Sequence, residues 1–278
     1  MIKVNNKKIR FEKFPNGETR FVVENFPELE FMNTVEFKFE SDEDLLKLQF
    51  VKRYIDSLRT TVSRVELVIY YMPYSRMDRS EGGSPFTLKY VTEFINSLDF
   101  EKITVIEPHS DVTMALLDRA EPLYVTFDLL PTVMKEVGFD ESVDYVVFPD
   151  AGASKRYSKI GDFCTLVGHK DRDFATGKIQ GLELIGINNR AGEKAVIVDD
   201  LSSYGGTFVA TSKELRKMGV KEVYLLVAHA ENSVFKGELF DHIDRLFTTD
   251  SIMSEQNKWE NRKFDSKLKV YEVSNLIH

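Results

Sequence analysis

Two adjacent carboxylates and a glycine-rich turn form the part of the sequence with the clearest chemistry. Asp199 and Asp200 follow the apolar run 195–198, and a loop of small residues then passes through Gly205 and Gly206 into a helical pattern. Backbone N–H groups at such a turn, backed by the positive end of a helix dipole, bind phosphate, and glycines allow its close approach. Carboxylates suit sugar hydroxyls or a magnesium ion. The pattern therefore predicts a site for a phosphorylated sugar, with an unrelated α/β turn as the alternative.

A basic segment at residues 71–79 follows another apolar run directly. Its arginines, Arg76 and Arg79, enclose Asp78. Guanidinium groups bind phosphate oxygens in pairs, so this spacing suits a polyphosphate, whereas the simpler alternative is a solvated loop with surface ion pairs. The sequence has neither a Gly-x-x-x-x-Gly-Lys-Ser/Thr loop nor a Gly-x-Gly-x-x-Gly turn, so any ATP must be bound by another device.

Five blocks resemble, in the same order, those of the ribose-phosphate pyrophosphokinase (PRPP synthetase) family. They are Phe14-Pro-Asn-Gly-Glu18, residues 71–79, Glu107-Pro-His109, Phe148-Pro-Asp-Ala-Gly152 and residues 199–207. The resemblance, over nearly the whole chain, implies an enzyme of nucleotide biosynthesis, a magnesium-dependent diphosphotransferase. Its expected reaction transfers the β,γ-diphosphate of ATP to the 1-hydroxyl of ribose 5-phosphate and releases AMP.

The resemblance also implies a role for each matched residue. Those expected to bind ATP are Phe14, Asn16, Glu18, Arg76, Asp78 and Arg79. Those expected to bind the sugar phosphate are Asp199, Asp200, Ser202, Ser203, Tyr204, Gly205, Gly206 and Thr207. Lys170 and Arg172 match the family's catalytic flap, and His109 is expected to be catalytic and, with Asp150, to meet magnesium. Asp150 has a simpler alternative as a helix N-cap.

Two positions of the sugar-phosphate loop depart from the family pattern. Ser203 and Tyr204 stand where the family usually has an aspartate and a threonine. A compact 5-phosphate favours hydroxyl and N–H donors around it, whereas an aromatic ring offers a stacking surface to a larger substituent. ADP-ribose is therefore the alternative acceptor, with the same chemistry serving NAD salvage. The simpler interpretation is that Tyr204 fills the loop while the backbone binds ribose 5-phosphate.

Other function classes fit the sequence less well. A phosphoribosyltransferase would share the sugar-phosphate loop but would need neither an adenine loop nor a catalytic flap. A non-catalytic regulatory homologue would not need to retain Lys170, Arg172 and His109. The family's adenine loop serves a neighbouring subunit, so the resemblance also implies a homo-oligomer.

Alternating strand and helix patterns must position these residues. They predict an α/β protein of two phosphoribosyltransferase-like domains, 1–140 and 141–278, each a mostly parallel sheet flanked by helices. A helix is expected at 42–58, capped by Ser41 and Asp44, and another after Ser84 and Pro85. Expected strands are 65–71, 103–106, 124–127, 145–148, 165–167, 196–198 and 223–227. By strand alternation, Asp199 and Asp200 should point to opposite sides.

Composition narrows the partners and the location. The 278 residues carry a net charge of −8, which argues against broad nucleic-acid binding. No apolar run is long enough to span a bilayer, and the N-terminus does not resemble a signal peptide. The single cysteine, Cys164, fits a reducing compartment. The sequence therefore predicts a cytoplasmic protein with small-molecule substrates.

Overall fold

The chain forms two compact units, Met1–Tyr124 and Val125–His278. The structure is a computed structural model that describes residues 1–58, 64–161, 163–172, 179–186, 192–254 and 265–277. Each unit contains a mostly parallel sheet flanked by helices, which confirms the predicted α/β class. None of the helices in these described ranges is both long and apolar enough to span a membrane.

The first unit is built on a six-stranded sheet. In chain order its elements are β1 (Ile2–Val4), β2 (Lys7–Lys8), β3 (Arg10–Lys13), β4 (Thr19–Val22), β5 (Met32–Phe37), α1 (Glu43–Leu58), β6 (Arg64–Ile69), α2 (Thr87–Ser97), β7 (Lys102–Ile106), α3 (Asp111–Leu116) and β8 (Ala120–Leu123). The sheet order is β2-β1-β5-β6-β7-β8, with β5 to β8 parallel, and β3 pairs with β4 in a separate hairpin. Since β6 and β7 are parallel neighbours, the loops that follow them leave the same edge of the sheet.

The second unit is built on a seven-stranded sheet. Its elements are α4 (Val125–Val137), β9 (Tyr145–Phe148), α5 (Ala151–Arg156), β10 (Cys164–Arg172), β11 (Ile179–Gly186), β12 (Lys194–Ser202), α6 (Gly206–Lys217), β13 (Glu222–Ala230), α7 (Leu239–His242), β14 (Arg245–Thr249) and β15 (Leu268–Tyr271). The order is β11-β10-β9-β12-β13-β14-β15, and the β10–β11 hairpin is the antiparallel part. Loops after β9 and β12, which are parallel neighbours, leave one edge together.

The start of α4 contradicts the strand predicted at 124–127. β8 ends at Leu123, and Val125 already begins the helix, whose Leu129 and Val133 are buried. A Tyr-Val-Thr-Phe run matches a strand by composition but also supplies the apolar face of a helix. Because α4 packs against β13, the contacts divide the chain before α4, whereas the sequence places the domain boundary near residue 140.

The two predicted helix starts have different outcomes. α1 begins at Glu43, and the Asp44 carboxylate accepts a hydrogen bond of 3.1 Å from the backbone N–H of Ser41, as expected of a reciprocal cap. The predicted start of the next helix is wrong, because Ser84 pairs with Glu81 across a turn of two glycines with positive φ. α2 begins only at Thr87.

Candidate active site

The loop between β12 and α6 has the geometry of an anion site. Gly205 precedes the helix with φ 81°, a conformation that favours glycine, and a Cβ there would lie 2.9 Å from Leu239 Cδ1. Gly206, the first residue of α6, is exposed, and a Cβ on it would have no described atom within 4 Å apart from its chain neighbours and the backbone of its own helix. Because the first N–H groups of a helix have no partner within that helix, the exposed start of α6 suits a phosphate.

Asp199 and Asp200, at the end of β12, interact with the same arginine. Arg156 Nη1 lies 2.7 Å from Asp200 Oδ1 and 3.7 Å from Asp199 Oδ1. The two carboxylates are therefore not separated as strand alternation predicted. Asp199 Oδ1 accepts a 2.9 Å hydrogen bond from the backbone N–H of Asp200, which limits the rotation of the Asp199 carboxylate.

The charges of this cluster interact strongly because burial keeps water away from them. Side-chain exposure is 5% for Asp200 and 15% for both Asp199 and Arg156. Burial, followed by the charge of Asp200, raises the pKa of Asp199 well above its usual range. Burial alone would lower the pKa of Arg156, but the nearby acidic groups, Asp200 foremost, raise it, so the guanidinium stays charged.

The rest of the sugar-phosphate loop divides into buried and exposed residues. Ser202 is fully buried, and Ser203 Oγ lies 3.1 Å from Ser233 Oγ. Tyr204 is 60% exposed, so its ring is accessible to a ligand. Thr207 lies in the first turn of α6, directly after the two glycines.

Asp150 is the N-cap of α5. Its Oδ1 accepts a 3.0 Å hydrogen bond from the backbone N–H of Ala153, which confirms the capping alternative. The charge of Asp150 also contributes to the raised pKa of Asp199. Asp150 therefore belongs to the electrostatic surroundings of the Asp199 carboxylate, and its role at a metal stays a prediction.

The predicted adenine loop forms the turn of the β3–β4 hairpin. Phe14 is 49% exposed, and its backbone N–H donates to the Glu18 carbonyl at 2.9 Å. The Asn16 side-chain amide donates to the Glu18 carboxylate at 2.7 Å, and Gly17 completes the turn with φ 89°. An accessible aromatic ring on a closed turn is compatible with stacking on a base.

The start of α1 connects the adenine loop to the predicted ATP-phosphate loop. Lys13, next to Phe14 in the chain, forms a 2.6 Å ion pair with Glu43. The hydroxyl of Tyr74, in the ATP-phosphate loop, donates a hydrogen bond to the carboxylate of Asp42. Because Asp42 and Glu43 are adjacent, the two loops are attached to the same place in the first unit.

The remaining predicted ATP residues lie at the carboxyl edge of the first sheet. Arg76 and Arg79 are both exposed, and Arg79 Nε donates to Asp78 Oδ1 at 3.0 Å. Asp78 therefore contacts Arg79 itself. His109 is partly buried and lies in the loop between β7 and α3. This loop is at the same edge of the sheet as the loop that carries Arg76 and Arg79.

The predicted flap residues lie on the β10–β11 hairpin. The backbone of Lys170 pairs with Leu182, and that of Arg172 pairs with Ile179. Their side chains lie outside the described part of the structure, so their catalytic roles stay predictions.

The fold resembles that of a solved enzyme. A crystal structure of phosphoribosylpyrophosphate synthetase from Mycobacterium smegmatis superposes with a TM-score of 0.73, covering 97% of this chain and 87% of that one. At 17% identity this similarity shows the fold alone, and it confirms two phosphoribosyltransferase-like domains. No protein-family model matches the sequence.

Curated relatives give the family. A ribose-phosphate pyrophosphokinase of Fusobacterium nucleatum is 24% identical over 275 residues, which cover 97% of this chain and 84% of the relative. One from Xylella fastidiosa is 30% identical over 236 residues, covering 80% and 70%. Fold and relatives together define the class, which is a diphosphotransferase. The chain belongs to the ribose-phosphate pyrophosphokinase family, which confirms the resemblance of the five sequence blocks.

Sequence reasoning did not predict the partners of three residues that contact the predicted site residues or their loops. Arg156 was recognisable only as half of a basic pair with Lys155, and nothing in the sequence connects it to Asp200. Asp42 and Glu43 appear in the sequence as ordinary acidic residues at a helix start. Their contacts join segments distant in the chain, so local patterns could not reveal them.

Proposed function

We propose that this chain transfers the β,γ-diphosphate of ATP to the 1-hydroxyl of a ribose 5-phosphate group, giving a ribose 1-diphosphate and AMP. The observation that carries the proposal is the β12–α6 site, where Asp199 and Asp200 lie near the end of β12 and a short loop leads from them to the exposed start of α6. A sugar with one phosphate and free hydroxyls complements both parts. Membership of the family supports the same reaction.

In this proposal the second unit binds the acceptor. N–H groups of the first turn of α6 donate to the 5-phosphate, and the Asp199 carboxylate accepts hydrogen bonds from ribose hydroxyls. Holding both ends of the sugar fixes the direction of the 1-hydroxyl, which raises the effective concentration of the nucleophile. The hydroxyl oxygen attacks the β-phosphorus of ATP and loses its proton to water. The bond from the β-phosphorus to the oxygen that bridges the α-phosphate breaks, and AMP leaves with that oxygen.

The first unit supplies the ATP side of the proposal. The accessible Phe14 ring stacks on adenine, and Arg76 and Arg79 donate to phosphate oxygens. Two residues of the second unit complete the proposal. Lys170 and Arg172, on β10, would stabilise the negative charge that accumulates on the transferring group, as cations commonly do in phosphoryl transfer.

Magnesium would neutralise phosphate charge in this reaction. The Asp150 carboxylate has the hard oxygen donors that Mg²⁺ prefers, whereas the His109 imidazole suits a phosphate oxygen better. Within the described ranges, no group of three or more His, Cys, Asp and Glu side chains is arranged to hold an ion. Mg²⁺ commonly binds through one or two carboxylates together with substrate phosphates and water, so one protein carboxylate is enough for this proposal.

ADP-ribose is the second candidate acceptor. Tyr204 is 60% exposed and directly precedes Gly205, so its ring is open to a substituent on a phosphate bound at the start of α6. An adenosine group could stack on this ring, and the product would carry a diphosphate on the terminal ribose. The same carboxylates and helix N-terminus serve either acceptor.

Release of AMP from ATP and Mg²⁺ tests both candidates. Purified protein is incubated with ribose 5-phosphate, ADP-ribose or no sugar, and AMP is measured by chromatography. We expect sugar-dependent AMP with at least one acceptor, and chelation of Mg²⁺ should abolish it. Rapid turnover of ribose 5-phosphate with none of ADP-ribose would exclude the extended acceptor. If no AMP is released with either ribose 5-phosphate or ADP-ribose, the proposal is wrong.

Membership of the family also supports the proposals that the protein is a homo-oligomer and that it acts in the cytoplasm. Light scattering of the purified protein measures the subunit number directly. A monomeric mass in the active preparation would contradict the expected oligomer.

A further inference from the structure

Arg156 is tightly placed beside the two carboxylates. Besides its contacts of 2.7 Å to Asp200 and 3.7 Å to Asp199, its guanidinium carbon lies 5.9 Å from the centre of the Tyr157 ring. Tyr157 is fully buried and stacks on Phe148. A charged group held over a fixed aromatic face has little freedom to turn away.

The contacts divide the two carboxylates into different roles. Asp200 is the more buried and lies closer to Arg156, whereas Asp199 is three times as exposed and a full ångström farther away. Two adjacent carboxylates repel each other, and the Arg156 guanidinium offsets part of that repulsion. The planar guanidinium can hold one carboxylate while limiting the movement of the other.

We propose that Arg156 is a positioning residue for the acceptor site, and this inference rests on the proposed function. Arg156 anchors Asp200, and the fixed Asp200 backbone N–H in turn orients the Asp199 carboxylate toward the ribose hydroxyls. Asp199 is thus the carboxylate that contacts the sugar, and Asp200 is its support.

Substitution of Arg156 tests this division. Arg156→Gln should raise the KM of the acceptor roughly 10- to 100-fold while the KM of ATP stays within about two-fold. Arg156→Lys, which keeps the charge, should recover part of the loss. Lys159→Gln removes an exposed positive charge three residues later and should leave both KM values unchanged.

A double variant distinguishes positioning from simple charge balance and covers a failure of Arg156→Gln to fold. In Arg156→Gln/Asp200→Asn neither charge of the close pair remains, so its melting temperature should recover toward that of the wild type. If Arg156 only balances charge, the acceptor KM recovers as well, and the inference is wrong. If Arg156 positions Asp199 through Asp200, the acceptor KM stays high in the stable double variant.

The wild-type protein separates failure of the inference from failure of the function. A wild type that releases AMP with a sugar, together with a folded Arg156→Gln whose acceptor KM changes less than about two-fold, overturns the inference alone. A wild type that neither turns over nor binds ribose 5-phosphate or ADP-ribose, as measured by calorimetry, overturns both.

Discussion

Leu239 occupies the space into which a side chain at Gly205 would extend. A Cβ on Gly205 would lie 2.9 Å from Leu239 Cδ1 and 3.0 Å from its Cβ. Leu239 is fully buried and begins α7, so α7 and the phosphate loop constrain each other. The next residue, Gly206, faces open space instead. The fold thus requires a glycine at 205, whereas the open space at Gly206 is what the proposed phosphate site needs.

Alanine substitutions should separate these two requirements. Gly205→Ala combines an unfavourable φ with a close contact, so it should lower the free energy of unfolding by about 1–3 kcal/mol. Gly206→Ala should change that free energy by less than about 0.5 kcal/mol but raise the KM of the sugar, because the methyl group enters the approach to α6. Urea unfolding and AMP-release kinetics measure the two effects. Equal destabilisation by both substitutions would contradict the assignment.

Local patterns predicted the elements that carry their own signals. The apolar run before Asp199 and the glycines before α6 identified a strand, a loop and a helix start, because each feature depends on nearby residues. The strand prediction at 124–127 failed because apolar β-branched residues suit both a strand and the buried face of α4. Contacts between distant segments, such as Arg156 with Asp200, depend on the tertiary fold.

Phe14 should contribute to ATP binding without contributing much to stability. Its ring is 49% exposed, and stacking of an aromatic side chain on a base is worth about 1–3 kcal/mol, so Phe14→Ala should raise the KM of ATP by roughly 5- to 150-fold. Phe31, 67% exposed in the same unit and outside the predicted site, provides the matched control. Thermal unfolding should be nearly unchanged in Phe14→Ala. The stacking role fails if Phe31→Ala affects the KM of ATP as strongly.

Tyr204 should determine preference between acceptors. If its ring stacks on the adenosine of ADP-ribose, Tyr204→Thr should lower kcat/KM for ADP-ribose by about tenfold. The value for ribose 5-phosphate should stay the same or rise, because a hydroxyl replaces the ring. Tyr90→Thr alters a similarly exposed tyrosine on α2 that lies outside the predicted site. An unchanged ratio between the two acceptors would mean that Tyr204 only fills the loop.

Lys170→Ala should impair the chemical step far more than ATP binding. Loss of one cation that stabilises the transferring group should lower kcat by roughly 10²- to 10³-fold. Calorimetric titration with a non-hydrolysable ATP analogue should give an unchanged Kd. A variant that turns over at the wild-type rate would refute the catalytic role of this residue.

The raised pKa of Asp199 predicts a pH dependence of stability with a definite sign. Burial and the charge of Asp200 favour the protonated form, so the native state retains a proton that the unfolded chain releases near pH 4. The stabilisation that comes from this proton is present at low pH and is lost as the pH rises through the native pKa of Asp199, since between the two pKa values the native state binds more protons than the unfolded state.

Asp199→Asn removes this dependence. The free energy of unfolding of the wild type, relative to that of the variant, should therefore fall as the pH rises from about 4 and level off once Asp199 is ionised. Urea unfolding of both proteins across that range measures the difference. A difference that rises with pH would show that Arg156 stabilises the ionised form more than burial opposes it.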